Sequence, residues 1–556
     1  MAHSTQLYRN HLLAIAAIVF LLAAGTEASS SGIWFDLHHR FSPVVRQWAE
    51  KRAAAHAPGS SWLPEEEAPQ QGSLEYHSAL SRHDRALFAR RRRLANNAGG
   101  QSTYTFADGN ATSSSRLDGY LHYAEVEVGT PSTKFLVALD TGSDLFWVPC
   151  ECKQCAPTVN ATYSPRQSST SKPVSCDNPL CDRPDTCAAD AANTTTTSSS
   201  CPYEVSYVSA NTGSSGVLVQ DVLHVTRENN SKQQSVQAPV VLGCGQVQTG
   251  DFLKGAAAGG LMGLGMDKVS VPSVLATSGV VASDSFSMCF SSDGVGRINF
   301  GDAGSLGQAE TPLVVPGNAR STYYNISVTA ISVDDSKAVP VEFAVVVDSG
   351  SSYTYLSDPA YTLLTTSLNS RVSDPRADYS GQLFEYCYSV SPGQANVRVP
   401  EVRLTTKGGA VFPVPWPIVP VFGSIDGGPD QPIGYCLGVI KNDNDIDTIG
   451  QNFMTGLKVV FDRSRSVLGW EKFDCYKDVK MQDSGSPNTI PWSSDTASGS
   501  PDNAPWSPDS IPFAPLTPLP RIPSPGFDSM SSSSRSAFGG LSLILLLVLL
   551  ATSMAW

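Results

Sequence analysis

The sequence predicts an all-β chain folded as two related β-rich lobes with a cleft between them. Three observations carry this expectation. The stretch Phe135-Leu136-Val137-Ala138-Leu139 runs apolar into Asp140-Thr141-Gly142-Ser143. Phe343-Ala344-Val345-Val346-Val347 then runs, without a gap in the alignment, into Asp348-Ser349-Gly350-Ser351. An apolar run ending in carboxylate, hydroxyl and glycine reads as a buried strand followed by a tight turn. Its duplication implies two lobes that each bring one carboxylate to a shared site. The second observation is composition: 556 residues with 45 Gly and 38 Pro are enough for more than one core and demand many turns. The third is pattern. Segments 120–128, 217–225, 324–333 and 457–461 alternate or run β-branched between Gly, Pro, Asn and Asp; long amphipathic helices are scarce there, and 359–368 is the best short candidate.

A formal charge of −13 argues against a nucleic-acid partner and suits a protein working in acid, where part of that charge is neutralised. The 12 cysteines all lie between Cys150 and Cys475. In a secreted chain they form disulfides; in a cytosolic one they would suggest metal or redox chemistry. The N-terminus decides between the two. Leu12 to Ala24 is an unbroken apolar run after Arg9, followed by small residues, so residues 1–28 are expected to be a secretory signal peptide. Cys150, Cys152 and Cys155 have the closeness of a zinc knuckle, but no histidine lies near and the secretory route favours disulfides. No metal and no cofactor are expected. Sequons at Asn110, Asn160, Asn193, Asn229 and Asn325 suit a secreted glycoprotein.

Residues 29–100 contain no cysteine, and 81–94 combines helical character with six arginines. This region reads as a basic pro-segment that lies over an acidic cleft until it is removed. Its arginines would let go as carboxylates protonate around pH 4, and Arg90-Arg91-Arg92-Arg93 is a candidate processing site. The two lobes are expected over 101–315 and 316–480. Pro and Ser then dominate a stalk at 481–530. Residues 531–556 hold small residues, a polar spacer and the apolar tail Leu541 to Leu550, the pattern of a glycosylphosphatidylinositol (GPI) anchor signal that is removed. No basic residue follows the tail, which disfavours a transmembrane helix. These features predict a monomer on the outer face of the plasma membrane, held there by a C-terminal lipid anchor, with release to the extracellular space open.

Two facing carboxylates cannot both ionise easily, so they come to share a proton. The charged member can then activate a water while the protonated member donates to a carbonyl oxygen. Thr141, Ser143, Ser349 and Ser351 supply hydroxyls to orient the pair, and Gly142 and Gly350 supply backbone N–H groups.

With these residues in place the chain resembles the pepsin-like aspartic endopeptidases, and more closely an atypical plant branch similar to the nepenthesins. Asp140-Thr141-Gly142-Ser143 and Asp348-Ser349-Gly350-Ser351 match the two catalytic motifs. Trp147 matches the tryptophan after the first motif. Leu261-Met262-Gly263 and Thr448-Ile449-Gly450 match the segments that close a ψ-shaped loop behind each aspartate. Arg297 to Asp302, Gly450 to Phe453 and Val459 to Asp462 resemble the plant branch. The resemblance covers about 120–476. It implies hydrolysis of protein or peptide substrates in acid by Asp140 and Asp348, and a flap over the cleft whose tyrosine, Tyr207 by position, holds substrate with Trp147. Tyr203 is the other candidate. The usual family pattern has glycine after this tyrosine; here Val208 follows, with one residue more before Gly216. It also implies disulfides pairing Cys155 with Cys244, Cys176 with Cys201, Cys181 with Cys187, Cys289 with Cys475 and Cys387 with Cys436. Cys150 then falls to Cys152, with a swap among Cys150, Cys152 and Cys155 open. The alternatives from other classes are a catalytically silent pepsin-fold binding or inhibitor protein, and a glycosidase, whose carboxylates stand farther apart.

Overall fold

A computed structural model describes residues 33–54, 72–84, 122–207, 212–473 and 489–491, with short internal stretches omitted, the longest being 188–199. The chain divides into two compact units, Met1–Ser510 and Ile511–Trp556, and every described residue belongs to the first. The expected signal peptide, the arginine run at 90–93, the sequons at Asn110, Asn160 and Asn193, most of the stalk and the anchor signal lie outside the described residues. Among those described, no helix is long and apolar enough to cross a membrane.

The fold is all-β and bilobal, of the pepsin type. A 14-stranded sheet carries the N-terminal lobe, and a seven-stranded sheet carries the C-terminal lobe. The expected strands are present as His122–Val128, Thr212–Asn229, Asn325–Val333 and Leu457–Asp462, and the expected helix as Ala360–Asn369. The Thr133–Asp140 strand is buried from Phe135 to Leu139, as its apolar run requires. Its counterpart Val339–Val347 is buried only over Val345, Val346 and Val347. The difference arises because Val339 to Phe343 is the outer arm of a hairpin with Asn325–Val333.

The large sheet does not respect the boundary expected at 315/316. Ser285–Phe290 pairs antiparallel with Leu457–Asp462, which in turn pairs with Val467–Lys472, so the last strands of the C-terminal region complete the sheet of the first lobe. Phe286 stacks on Phe461 at 4.8 Å between ring centroids, and Tyr324 meets Phe461 edge-on at 4.7 Å.

The segment read as a removable cap contributes to the core. Ile33–His39 is an interior strand, pairing with Val295–Phe300 on one side and with His122–Val128 and Thr212–Asn229 on the other. Ile33 and Leu37 are fully buried, and Phe35 packs edge-on against Phe300. A second part of the segment, helical over 74–81, packs Leu74, Tyr76 and Leu80 against Tyr353, Phe384, Val419 and Val421 of the C-terminal lobe.

The disulfides correct part of the expected pairing. Cys150 bonds Cys244 and Cys152 bonds Cys155, a swap within the trio whose pairing is open on sequence; Cys176 bonds Cys187 and Cys181 bonds Cys201, against the expected Cys176–Cys201 and Cys181–Cys187; Cys387–Cys436 is as expected. Strand register explains the first two. Trp147–Gln154 runs parallel to Lys232–Thr249 with Val148 opposite Cys244, which brings the buried Cys150 to that strand. The register then slips between Pro149 and Gln154, with Glu151 at φ 41°, and Cys152–Cys155 closes the looped-out residues. Cys289 is disulfide-bonded, but Cys475 lies outside the described residues.

Candidate active site

Each aspartate is delivered by a strand that a parallel neighbour locks from behind. Thr133–Asp140 pairs with Leu261–Gly263, Asp140 opposite Gly263, and the Leu264 N–H donates to the Asp140 carbonyl at 2.8 Å. Val339–Val347 pairs with Asp447–Ile449, and the Asp348 N–H donates to the Ile449 carbonyl at 3.0 Å. The glycines closing these segments have a steric reason. A Cβ on Gly263 would sit 2.3 Å from the Asp144 carbonyl carbon, and one on Gly450 would sit 2.1 Å from the Tyr353 oxygen.

The turns support the two carboxylates alike. Asp140 Oδ1 accepts from the Gly142 N–H at 2.9 Å and Oδ2 from Ser143 Oγ at 2.7 Å. Asp348 Oδ1 accepts from the Gly350 N–H at 3.1 Å, and its Oδ2 accepts from Ser351 Oγ. Thr141 Oγ1 reaches across the lobes to Asp348 Oδ1 at 3.4 Å. The two turns, distant in sequence, therefore meet. Asp348 and Ser349 are buried, and Asp140 is half-buried.

Trp147 is fully buried, packed on Phe252 at 4.9 Å, and shares a cluster with Tyr203. Its strand pairs with Lys232–Thr249 on one side and with Leu261–Gly263 on the other. Tyr203 is likewise a core residue: its hydroxyl bonds Ser214 Oγ at 2.8 Å, and its ring fills the space beside Gly243. Pro202–Tyr207 and Thr212–Asn229 form the expected hairpin, with Tyr207 opposite Thr212. The tip at 208–211 and the Tyr207 side chain lie outside the described residues.

Several residues near the pair escaped the sequence reading. Asp144 accepts from the Asp267 N–H at 2.8 Å, and burial raises its carboxyl above the usual range. Standing one residue past the first motif, it was legible as a further acid. Burial pushes the His122 imidazole down to about 3, against the backbone of Ser349 beside it. Tyr323 packs against the first turn, its ring 3.5 Å from where a Cβ on Gly142 would lie. The N-terminal segment also reaches this region. Asp84 is buried and accepts from the N–H groups of Ser352 and Tyr353, and burial raises it to about 7. His77 is buried between the Tyr353 hydroxyl at 2.7 Å and the Pro420 carbonyl at 2.8 Å, and burial lowers it to about 4. Asp84 and His77 thus add polar contacts to the apolar packing of Leu74, Tyr76 and Leu80; Arg82, Arg85 and the arginine run lie outside the described residues. The lone acid in Ser81-Arg82-His83-Asp84-Arg85 was the available signal.

Residues 122–302 match the family described as Xylanase inhibitor N-terminal, and 323–472 match Xylanase inhibitor C-terminal. Aspartyl protease family protein 1 of Arabidopsis thaliana is 45% identical over 477 residues, spanning 84% of each chain. The chain belongs to the plant pepsin-like aspartic protease family. Other relatives of this plant pepsin-like protein are Aspartic proteinase-like protein 1 of Arabidopsis thaliana and Aspartic proteinase nepenthesin-2 of Nepenthes gracilis. The first is 37% identical over 85% of this chain and 88% of the relative. The second is 27% identical over 51% of this chain and 64% of the relative.

Proposed function

We propose that the protein is an aspartic-type endopeptidase that hydrolyses peptide bonds in acid. The observation that carries this reading is the hydrogen bond from Thr141 to Asp348, which joins two turns whose carboxylates are held by the same pair of donors. Asp140 and Asp348 share one proton, as is the known behaviour of carboxylate pairs in this enzyme class. The ionised member takes a proton from water, and the water attacks the scissile carbonyl carbon. The protonated member donates to the carbonyl oxygen, giving a tetrahedral diol. Collapse of the diol breaks the C–N bond, and a proton passes to the leaving amine. Tyr207 closes over the substrate from the hairpin. Residues 29–100 act as an inhibitory pro-segment whose second half lies against the residues following Asp348.

The polypeptide enters the secretory pathway through residues 1–28 and is held at the outer membrane face by a lipid added within 529–534, with the Pro/Ser stalk as spacer. A second reading, a pepsin-fold inhibitor, draws on the inhibitor description of the matched family.

Peptide hydrolysis against pH separates the two. Activity is expected in acid, fading toward neutrality. Asp140→Asn and Asp348→Asn should each lower the rate by about 10³-fold or more without unfolding the protein. Wild-type activity in Asp140→Asn, or no cleavage at any pH after segment removal, transfers the case to the inhibitor reading.

A further inference from the structure

One fully buried carboxylate takes no part in hydrolysis. Asp84 Oδ1 accepts from the Ser352 N–H at 2.8 Å, and Oδ2 accepts from the Tyr353 N–H at 3.0 Å and the Tyr355 hydroxyl at 2.9 Å. All three donors belong to the C-terminal lobe and follow directly on the turn that holds Asp348; the acceptor is brought by the N-terminal segment. The donors sit on a rigid stretch. Thr354–Leu356 is paired on both sides, with Tyr355 opposite Thr448 and Ile440. Tyr353 stands edge-on to Phe384 at 4.9 Å, and the Gln451 and Asn452 N–H groups are fixed to the Ser351 and Ser352 carbonyls. The array therefore belongs to the body of the lobe and does not depend on the segment for its shape.

We infer that Ser352, Tyr353 and Tyr355 form a carboxyl-recognising subsite of the cleft, which an acidic side chain of a polypeptide substrate occupies once Asp84 withdraws. This rests on the endopeptidase reading above. The chemistry is selective because withdrawal of Asp84 takes an acceptor from three donors at once, and buried donors lose heavily when an acceptor is removed. A carboxyl group restores all three contacts, whereas an alkyl or ammonium side chain restores none. The array begins one residue past Ser351, which itself bonds Asp348.

The test has two arms. In the full-length chain, Asp84→Gly opens a formate-sized space against the three donors, with Asp84→Ala in reserve should the glycine variant fail to accumulate. Sodium formate should raise the thermal midpoint of this variant above sodium chloride at equal ionic strength. It should not do so for the wild type, and Tyr355→Phe added to Asp84→Gly should remove most of the gain. In the second arm, the secreted and processed protein is given a peptide library in acid. Asp or Glu should be enriched about tenfold at one position beside the scissile bond, and Tyr355→Phe should flatten that enrichment. Formate acting no differently from chloride overturns the inference, as does cleavage with no acidic preference. Absence of all cleavage counts against the endopeptidase reading alone, and the formate arm then decides the subsite.

Discussion

His77 and Asp84 lie on one short segment and should respond to acid in opposite directions. The groups facing His77 are the Tyr353 hydroxyl, the Pro420 carbonyl and the rings of Tyr76 and Phe384, none of them charged at these pH values. With its pKa lowered from 6.5 to about 4, His77 favours docking of the segment fully above pH 6.5. That contribution, about 3 kcal/mol, is lost as pH falls through 4. With its pKa raised from 3.8 to about 7, Asp84 favours docking most below pH 3.8. It loses about 4 kcal/mol as pH rises through 7. Between pH 7 and 4 the two nearly cancel, so docking in the wild type should vary little. Asp84→Asn leaves His77 unopposed, and protection of residues 74–81 against hydrogen exchange should fall about a hundredfold or more as pH drops from 7 to 4. His77→Gln leaves Asp84 unopposed, and protection should rise over the same range. The assay is native-state exchange in an Asp140→Asn background, which prevents self-processing, read as protection factors so that intrinsic rates divide out. His38 and His122 titrate equally in all the proteins compared and drop out of the difference. If both variants follow the wild-type profile, the opposing-linkage argument is wrong.

Three further outcomes are expected. Leu37→Ala should destabilise the full chain by about 2–5 kcal/mol in urea unfolding, because the side chain is fully buried on an interior strand; a change under about 0.5 kcal/mol would show that the strand is dispensable. Non-reducing peptide mapping should recover Cys150 with Cys244 and Cys181 with Cys201, and removing the Cys150–Cys244 bridge, which spans 94 residues, should cost about 4 kcal/mol. Phosphatidylinositol-specific phospholipase should release the protein from cells; retention with Leu541 to Trp556 still in the peptide map points instead to a transmembrane tail.

What the sequence disclosed was local and repeated. The apolar run, carboxylate, hydroxyl and glycine of each motif specify strand and turn without help from elsewhere, and Leu261 to Gly263 and Thr448 to Gly450 fall where the pairing needs them. The disulfides were hidden because their partners depend on register between distant strands and on a slip inside one of them. The strand within the N-terminal segment went unread for a different reason. The segment's arginines drew the eye, while Ile33, Phe35 and Leu37 alternate with Trp34, Asp36 and His38, the two-residue period of a half-buried strand. Motif position singled out Trp147, and the full burial of its side chain could be seen only in the packed structure.

The pairing of Ser285–Phe290 with Leu457–Asp462 bears on how the chain is made. A ribosome releases the first lobe with one edge of Ser285–Phe290 bare, since the strand that covers it is encoded nearly at the end of the folded body. Until Leu457–Asp462 emerges, that edge can bond to any passing strand, including the same edge of a neighbouring nascent chain. Completion of the first lobe must therefore wait for synthesis of the second, and a polypeptide stopped between the lobes leaves an open template for aggregation. The waiting strand lies within a pairing of large sequence separation, which is slow to form. The early burden thus falls on chaperones that meet the nascent chain.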